Sequence, residues 1–272
     1  MRRSMRALGV ALAAGATVLA TAPLATAQET GTVFVVHGIP NTPVDVYVDG
    51  ARALDDFQPG TSAGPVQLPA GTRDVTIFPA DAADGSGAPL LSASPDLAAG
   101  ANVTLVAHLT EAGQPTVTPF VNDTSSVPAG QARLVVRHTA AAPAVDVLAG
   151  GSPVVEDLTN PNQKALVVPA GTVSAAVAAA GTTQPVIGPA DVTLQEGTAT
   201  FVHAIGSLQD NNLSLVSFTV SGLHSAPAGV PSGAPSGAPS QDDLPVLLGV
   251  GAVAGAAAVA LAAGRRRAGA RR

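Results

Sequence analysis

An internal duplication constrains this chain of 272 residues more than any other feature of its sequence. The segment VFVVHGIPNTPVDVYVDG at 33–50 recurs as RLVVRHTAAAPAVDVLAGG at 133–151. A second segment, VQLPAGTRDVTIFPA at 66–80, recurs as LVVPAGTVSAAVAAA at 166–180. Because such a repeat is typical of one folding unit used twice, the sequence predicts two tandem domains of the same architecture.

Residue runs typical of β-strands fill both copies. Val, Ile and Thr alternate with polar residues over short runs, which Gly, Pro, Asn and Asp separate. Tight turns are expected at Asp49-Gly50 and at the two Pro-Ala-Gly triplets that end at Gly71 and Gly171. The predicted strands are 33–37, 44–48, 66–68, 73–78, 103–109 and 116–121 in the first copy, with short pieces near 53–54 and 90–92, and 133–138, 145–149, 164–168, 173–177, 198–205 and 213–220 in the second.

These strands predict an all-β protein with two tandem immunoglobulin-like β-sandwich domains, at 28–124 and 125–221. The comparison with immunoglobulin domains concerns architecture only, since the chain has no cysteine and no tryptophan. Without disulfides, each domain has to be stabilised by its own hydrophobic core. A hydrophobic content of 46% makes such a core feasible.

The N-terminus has the features of a secretory signal peptide. Three arginines precede an apolar run, and Ala25-Thr26-Ala27 supplies the small residues that signal peptidase requires. We therefore predict a signal peptide at 1–27 that is cleaved before Gln28. The alternative is a transmembrane anchor that stays in place.

The C-terminus carries a second apolar segment, 244–264, which contains no charged residue and precedes the basic tail 265–272. As a helix at ~1.5 Å per residue it would span about 30 Å, the thickness of a bilayer core. Because basic tails stay cytoplasmic, we predict one transmembrane helix below an extracellular Pro/Gly/Ser/Ala-rich stalk at 222–243. The layout also resembles a Gram-positive wall-sorting signal, yet the threonine and glycine of the sortase pentapeptide are missing, so a plain membrane anchor is favoured.

Net charge excludes one class of partner. The formal charge is −6, but eight of the 13 basic residues lie in the signal peptide and the tail. The predicted extracellular part keeps five basic residues against 19 acidic ones, a net charge near −14. Phosphate backbones are repelled by such a surface, which argues against nucleic-acid binding.

A catalytic serine is the first chemical candidate. Gly60-Thr61-Ser62-Ala63-Gly64 fits the G-x-S-x-G pattern of the nucleophile elbow, which places a serine on a strand-to-helix turn. Here Pro59 precedes the pattern and a short strand is expected to follow. We therefore interpret it as a flexible loop and predict no catalytic residue and no cofactor.

Acidic and histidine residues are the remaining candidates. Asp81 and Asp84 could offer oxygens to Ca²⁺, although an acidic hairpin turn also explains them. His37 and His138 both end the first strand of their copy, which favours a structural role over a unique active site, and none of the five histidines has a zinc-ligand spacing. Two acidic pairs are expected in matching loops, as a solvated acidic edge: Asp55-Asp56 and Glu156-Asp157.

The segment PVDVYVDG at 43–50, followed by a Pro-Ala-Gly turn, resembles the bacterial family called domain of unknown function 4397. The second copy keeps PAVDV at 143–147 in a degraded form, so we expect two tandem members. The resemblance implies a secreted or surface β-domain and supplies no catalytic residues. Four residues of the two segments are interpreted as a structural motif: Asp45, Asp49, Gly50 and Asp146.

The sequence therefore predicts a membrane-anchored cell-surface protein of a bacterial, Gram-positive envelope. Its expected role is that of a non-catalytic binding or structural module, with the membrane as one partner through the C-terminal helix. A cell-wall polymer or a surface protein is the expected second partner. A calcium-dependent adhesion module and a secreted hydrolase are the alternatives.

Overall fold

The computed structural model describes residues 29–80, 85 and 87–225, and this part of the chain is all-β. It contains strands and no helix, so within these residues nothing has the length and apolarity of a membrane-crossing helix. The predicted signal peptide, transmembrane helix and basic tail lie outside the described residues, as does the stalk beyond residue 225. The calcium candidates Asp81 and Asp84 lie outside them too.

Ten strands form what we call repeat one, and eight form repeat two. Repeat one comprises β1 (Thr30–His37), β2 (Val44–Val48), β3 (Ala51–Phe57), β4 (Thr61–Pro69), β5 (Gly71–Thr72), β6 (Val75–Pro79), β7 (Leu91–Ala93), β8 (Asp96–Leu97), β9 (Asn102–Leu109) and β10 (Pro115–Val121). Repeat two comprises β11 (Gln131–His138), β12 (Val145–Ala149), β13 (Ser152–Leu158), β14 (Gln163–Pro169), β15 (Gly171–Ala179), β16 (Pro185–Leu194), β17 (Ala199–Ile205) and β18 (Ser214–Val220).

The two repeats have the same sheet topology. In repeat one, a mixed sheet has the order β10-β9-β1-β4, and an antiparallel sheet has the order β3-β2-β6-β7. The matching sheets of repeat two are β18-β17-β11-β14 and β13-β12-β15-β16. The first strand of each repeat pairs parallel with its neighbour, β1 with β9 and β11 with β17. The duplication in the sequence is thus a duplication of the fold.

Each repeat has its own apolar core between its two sheets. In repeat one, Val33 and Leu105 of the mixed sheet pack with Val46 and Ile77 of the antiparallel sheet. In repeat two, Val136 plays the same part opposite several aliphatic residues of the facing sheet, which are Val145, Val147, Val155, Leu158 and Val177. Face-to-face packing of the two sheets buries these aliphatic side chains.

The central strands of the mixed sheets are largely buried on both faces, because the mixed sheet of repeat one packs against that of repeat two. Along β1, Val33 points into the core of repeat one. Phe34 and Val36 lie on the opposite face of the strand and contact repeat two. Strands buried on both faces have nearly continuous apolar sequences, as in the VFVV of β1 and the ATFV of β17. We call this surface between the repeats the junction.

The chain between the repeats, 122–130, contains the predicted domain boundary at 124/125. Past β18, residues assigned to the stalk are still packed: Leu223 is buried, and His224 forms a β-bridge with Val127. Residues 222–225, which the sequence analysis assigned to the stalk, are therefore packed against repeat two.

Three sequence predictions about loops are wrong. Ser62 lies within β4, where it pairs with Val36, and not in a flexible loop. Asp55-Asp56 and Glu156-Asp157 lie in β3 and β13 and not in loops. All three strands are at sheet edges, where polar residues, glycine and charges are tolerated because one side of the backbone faces solvent.

Candidate functional site

The strand-end histidines fix the loops that follow them. His37 donates from Nε2 to the carbonyl oxygen of Thr42, 2.8 Å away, and His138 donates in the same way to that of Pro143, 2.9 Å away. Both rings are fully buried, and burial lowers the pKa of both histidines. These two histidines are therefore neutral at pH 7 and hold matching loops in the two repeats.

Asp45 and Asp146 are buried carboxylates that hold a β-bulge in the neighbouring edge strand. Asp45 accepts a hydrogen bond at Oδ1 from the backbone N–H of Asp56, and Asp146 accepts one from that of Asp157, both at 2.9 Å. Asp56 and Asp157 have left-handed φ angles of 48° and 54°. The carboxylates thus stabilise a backbone conformation that L-residues rarely adopt.

The turn after β2 has the geometry that its sequence predicts. Asp49 and Gly50 have φ angles of 50° and 79°, and the matching Gly150 and Gly151 have 57° and 82°. Two consecutive positive φ angles are typical of the type I′ turn, whose twist suits a two-residue hairpin. In repeat one, Asp49 also accepts a hydrogen bond from the backbone N–H of Asp74 at 2.9 Å.

The bends at the Pro-Ala-Gly triplets are also shared between the repeats. Gly71 and Gly171 have φ angles of 109° and 150°, a region that favours glycine. Each glycine begins a strand directly after β4 or β14 ends.

One acidic cluster in the described part of the chain has the spacing of a metal site. Carboxylate oxygens of Asp45, Asp55 and Asp56 lie within 4.8 Å of one another. Arg52 is bonded to two of these carboxylates, Asp55 and, at 3.3 Å, Asp45. Because the guanidinium neutralises part of the negative charge, this cluster is an ion-pair network at the edge of repeat one.

The most unusual polar group of the described residues is Arg137 at the junction, which the sequence analysis did not single out. It lies on β11, at the position that Val36 has on β1, and it is fully buried. Its guanidinium donates to Gln163 Oε1 at 2.9 Å, to Asn122 Oδ1 at 2.6 Å and to His203 Nε2 at 3.1 Å. Asn122 follows β10, so these bonds bring the end of repeat one onto repeat two.

Aromatic rings, and not carboxylates, surround this cation. The guanidinium carbon of Arg137 lies 4.6 Å from the ring centroid of Phe120 and 4.9 Å from that of Phe201. Among the described residues, no carboxylate lies within 4.0 Å of Arg137. Cation–π attraction in a desolvated place and three hydrogen bonds therefore offset the loss of hydration.

The electrostatics of the junction fix the state of His203. Burial lowers the pKa of Arg137 to about 9, which still leaves it charged at pH 7. Burial and the neighbouring Arg137 charge lower the pKa of His203 to about 3. Neutral His203 therefore accepts from Arg137 at Nε2 and carries its proton on Nδ1, which faces the carbonyl oxygen of Val216 at 3.4 Å.

An apolar cluster extends the junction beyond Arg137. Phe34 of repeat one stacks on Phe218 of repeat two with 4.4 Å between ring centroids. Asn160 of repeat two donates to the carbonyl oxygen of Leu109 of repeat one at 2.8 Å. The cluster between the sheets combines residues of both repeats: Val36, Val106, Phe120, Ile205 and Val216.

This arrangement joins the repeats and leaves Arg137 and His203 out of reach of a substrate. The chemically active groups of the junction are fully buried and used in bonds within the protein. A more open cleft of about 630 Å³ lies at one end of the junction, between loops of both repeats. Its lining includes Leu109, Glu111, Ala142, Pro143, Ser207 and Asp210.

A signal for Arg137 exists in the sequence. The first strands of the two copies align so that Arg137 stands where repeat one has Val36, directly after the apolar run 134–136. An arginine at the end of such a run, on a strand that is apolar on both faces, is consistent with a buried cation that has nearby acceptors. The acceptors themselves, Asn122, Gln163 and His203, are distant in sequence and could not be assigned from it.

Comparison with known protein families connects the fold to a group of proteins. Residues 31–148 match the family described as "Domain of unknown function (DUF4397)". These residues belong to the DUF4397 family. The resemblance predicted from PVDVYVDG is therefore confirmed for repeat one. No curated protein matches the chain significantly.

The DUF4397 match starts in β1 and ends in β12. It thus includes repeat one except for its first residue, together with β11 and most of β12 in repeat two. That the whole of repeat two is a second DUF4397 copy stays a prediction, although its sheets have the same strand order.

Proposed function

We propose that this chain is a membrane-anchored cell-surface protein of a bacterial envelope, in which the two repeats form one rigid, non-catalytic structural and binding module. Each repeat is a β-sandwich that we class as immunoglobulin-like in the broad architectural sense of two packed sheets. A cell-wall polymer or another surface protein is the proposed partner, and the loops at the junction cleft are the proposed contact.

One observation carries the proposal that the two repeats form a rigid block. Arg137 is fully buried between the repeats, where it bonds to Asn122 of the inter-repeat segment and contacts Phe120 of repeat one. Breaking such contacts would leave a desolvated cation and its acceptors without partners, so separation of the repeats is costly. A block that does not bend between its repeats is suited to holding a binding surface at a fixed distance from a membrane.

The architecture that the two repeats share supports a structural role. His37, His138, Asp45 and Asp146 occupy matching positions and bond to backbone groups of their own repeat. Side chains used in this way stabilise loops and leave little capacity for proton transfer to a substrate.

The two ends of the sequence support the proposed location. A predicted signal peptide would export residues 28–243, and an uncharged segment at 244–264 followed by five arginines would anchor them. Because the exported part is acidic, it would be repelled by an anionic polymer unless a cation bridges the two.

The location can be tested on intact cells that express the full chain with an epitope tag at the C-terminus. We expect external protease to remove the folded repeats while the tag stays protected and sediments with membranes. A matched variant, Leu247→Arg with Val253→Arg, should release the protein into the medium. Full protection of the repeats, or a tag that the protease digests, would overturn the proposal.

A further inference from the structure

Repeat one contains an apolar cavity of about 170 Å³ between its two sheets. The residues that line it are valine, leucine, isoleucine and alanine only, and they include Val33, Val46, Leu54, Ala63, Val66 and Leu105. Leu54 lies on β3 and Val66 on β4, which are edge strands of the two facing sheets. Val66 is 40% exposed whereas Val33 is 4% exposed, so the cavity opens between these two edges.

The lining excludes water and polar ligands. None of the lining side chains has a hydrogen-bond donor or acceptor, and an ordered water needs two to four polar partners. An empty cavity also forfeits dispersion contacts and so destabilises the fold. The volume is similar to that of the engineered apolar cavity of about 150 Å³ that stays dry and binds benzene.

Repeat two has larger side chains at three of the matching positions, although Val155 and Val202 are smaller than their counterparts Leu54 and Leu105. The pair Val33–Val66 between β1 and β4 corresponds to Leu134–Leu166 between β11 and β14. On the opposite edge, Val117 of β10 corresponds to Leu215 of β18, and each pairs with an alanine of the neighbouring strand.

All three of these leucines contact the core of repeat two, which Ile187 also fills. At these three positions, repeat one lines its cavity with valines, whereas repeat two places leucines against its core.

We propose that the cavity of repeat one binds the end of an alkyl chain, such as that of a fatty acid, which enters between β3 and β4. An alkyl chain matches a lining without aromatic rings or polar groups, and its polar head can stay in water outside the mouth. The mouth lies at the β3–β4 edge and not at the junction, so this binding does not depend on the structural role proposed above.

Methyl NMR on the full chain tests this site directly. The protein is labelled at valine and leucine methyl groups and purified in a deuterated sterol-based detergent, which offers no competing alkyl chain. With palmitate as the probe, we expect saturable shift changes at Val35, Leu54 and Val66, and nuclear Overhauser contacts from the terminal methyl of palmitate to these groups. The methyls of Val136, Val155 and Leu166, which match these three residues in repeat two, should not respond.

The matched control copies repeat two into repeat one. The triple variant Val33→Leu, Val66→Leu and Val117→Leu fills the cavity with the residues that repeat two uses. We expect at least a tenfold weaker affinity for palmitate, together with an unchanged or higher melting temperature. Should the triple variant fail to fold, the single variant Ala63→Leu at the mouth serves the same purpose.

Three results would overturn the proposal. Palmitate could leave the methyl spectrum of the native chain unchanged, or it could bind the filled variant equally well. Naphthalene could also displace palmitate at an equal concentration, which would show that the cavity takes compact apolar molecules and not chains. Membrane fractionation of the filled variant should match that of the native chain, so failure of this proposal would leave the proposed location unaffected.

Discussion

Arg137 of repeat two lies over the ring of Phe120 of repeat one, with 4.6 Å between the guanidinium carbon and the ring centroid. The two residues come from strands on opposite sides of the segment that links the repeats. Because the cation is fully buried, it is stabilised only by the groups that both repeats supply. The contact therefore makes the stability of each repeat depend on the other.

Replacing Arg137 should destabilise the protein to an extent that depends on the substitute. Arg137→Ala leaves a cavity, an unpaired acceptor on His203 and one donor fewer at Asn122 Oδ1, so we expect the free energy of unfolding to fall by about 3 kcal/mol. Arg137→Met keeps most of the side-chain volume and has no charge to desolvate. Its free energy of unfolding should therefore fall by less, about 1 kcal/mol. Urea unfolding of the full chain measures both.

Arg52→Ala is the control for this pair, since Arg52 is 43% exposed and its ion pairs are screened. We expect its effect to be much smaller than that of Arg137→Ala. Equal losses for Arg137→Ala and Arg52→Ala would show that the buried cation does not hold the junction.

The buried aspartates of the two repeats should behave alike. Asp45→Ala and Asp146→Ala each remove the acceptor of a backbone N–H in a strained edge strand, and we expect each to cost about 2–3 kcal/mol of unfolding free energy. Thermal unfolding measures the loss. Asp55→Ala, an exposed neighbour, is the control and should change stability by less than about 0.5 kcal/mol. A large loss of stability in one repeat alone would show that the matching hydrogen bonds do not contribute equally to the stability of the two repeats.

Acid should destabilise the junction before carboxylates titrate. The pKa of His203 is lowered to about 3 from the ordinary 6.5, so below about pH 6.5 the unfolded chain binds a proton that the folded chain does not. Stability therefore falls as the pH falls, by about 2 kcal/mol between pH 6.5 and 5 from this residue. Burial lowers the pKa of His37, His108 and His138 too, which adds to the slope in the same direction.

Unfolding free energies between pH 7.5 and 5 measure this slope. His203→Gln keeps an acceptor for Arg137 without a titrating ring, so its stability should depend less steeply on pH than that of the native chain. Parallel pH profiles for the two proteins would refute the assignment of His203 as a buried neutral base.

Repeat one without its partner should self-associate. A chain that stops at residue 126 exposes the apolar face that carries Phe34, Val36, Val106 and Phe120. Since exposed apolar patches of this kind drive association, we expect dimers or larger species in sedimentation experiments. The double variant Phe34→Ser with Val36→Thr should shift the fragment toward the monomer. A monomeric, folded native fragment would argue against the junction as an obligatory contact.

The sequence predicted the central strands well because burial imposes a simple pattern on them. The bounds of β2 and β12 are those that the VDV segments predicted. For β1, β9, β11 and β17, the predicted ends lie within three residues of the ends in the structure. Four strands that were missed or strongly shortened, β3, β4, β13 and β16, are at sheet edges, and the two-residue strands β5 and β8 were missed as well. β16 contains Pro189 and Gly188, which break most strands but are tolerated where one side of the backbone is unpaired.

The junction could not be predicted because its partners are distant in sequence. Arg137 and His203 are separated by 66 positions, and an arginine in a strand is usually exposed. The apolar runs of β1 and β11 do indicate strands buried on both faces, yet they do not say what covers the second face. The packing of one mixed sheet on the other is information that only the three-dimensional arrangement supplies.

Pulsed hydrogen exchange across a urea series tests whether the two repeats form one block. The method follows the full chain by mass spectrometry and compares β2 with β12, which lie in the outer sheets away from the junction. We predict that both strands lose protection at the same urea concentration, and that Arg137→Ala separates the two transitions. Loss of protection at clearly different urea concentrations in the native chain would show that the repeats unfold independently and would contradict the account.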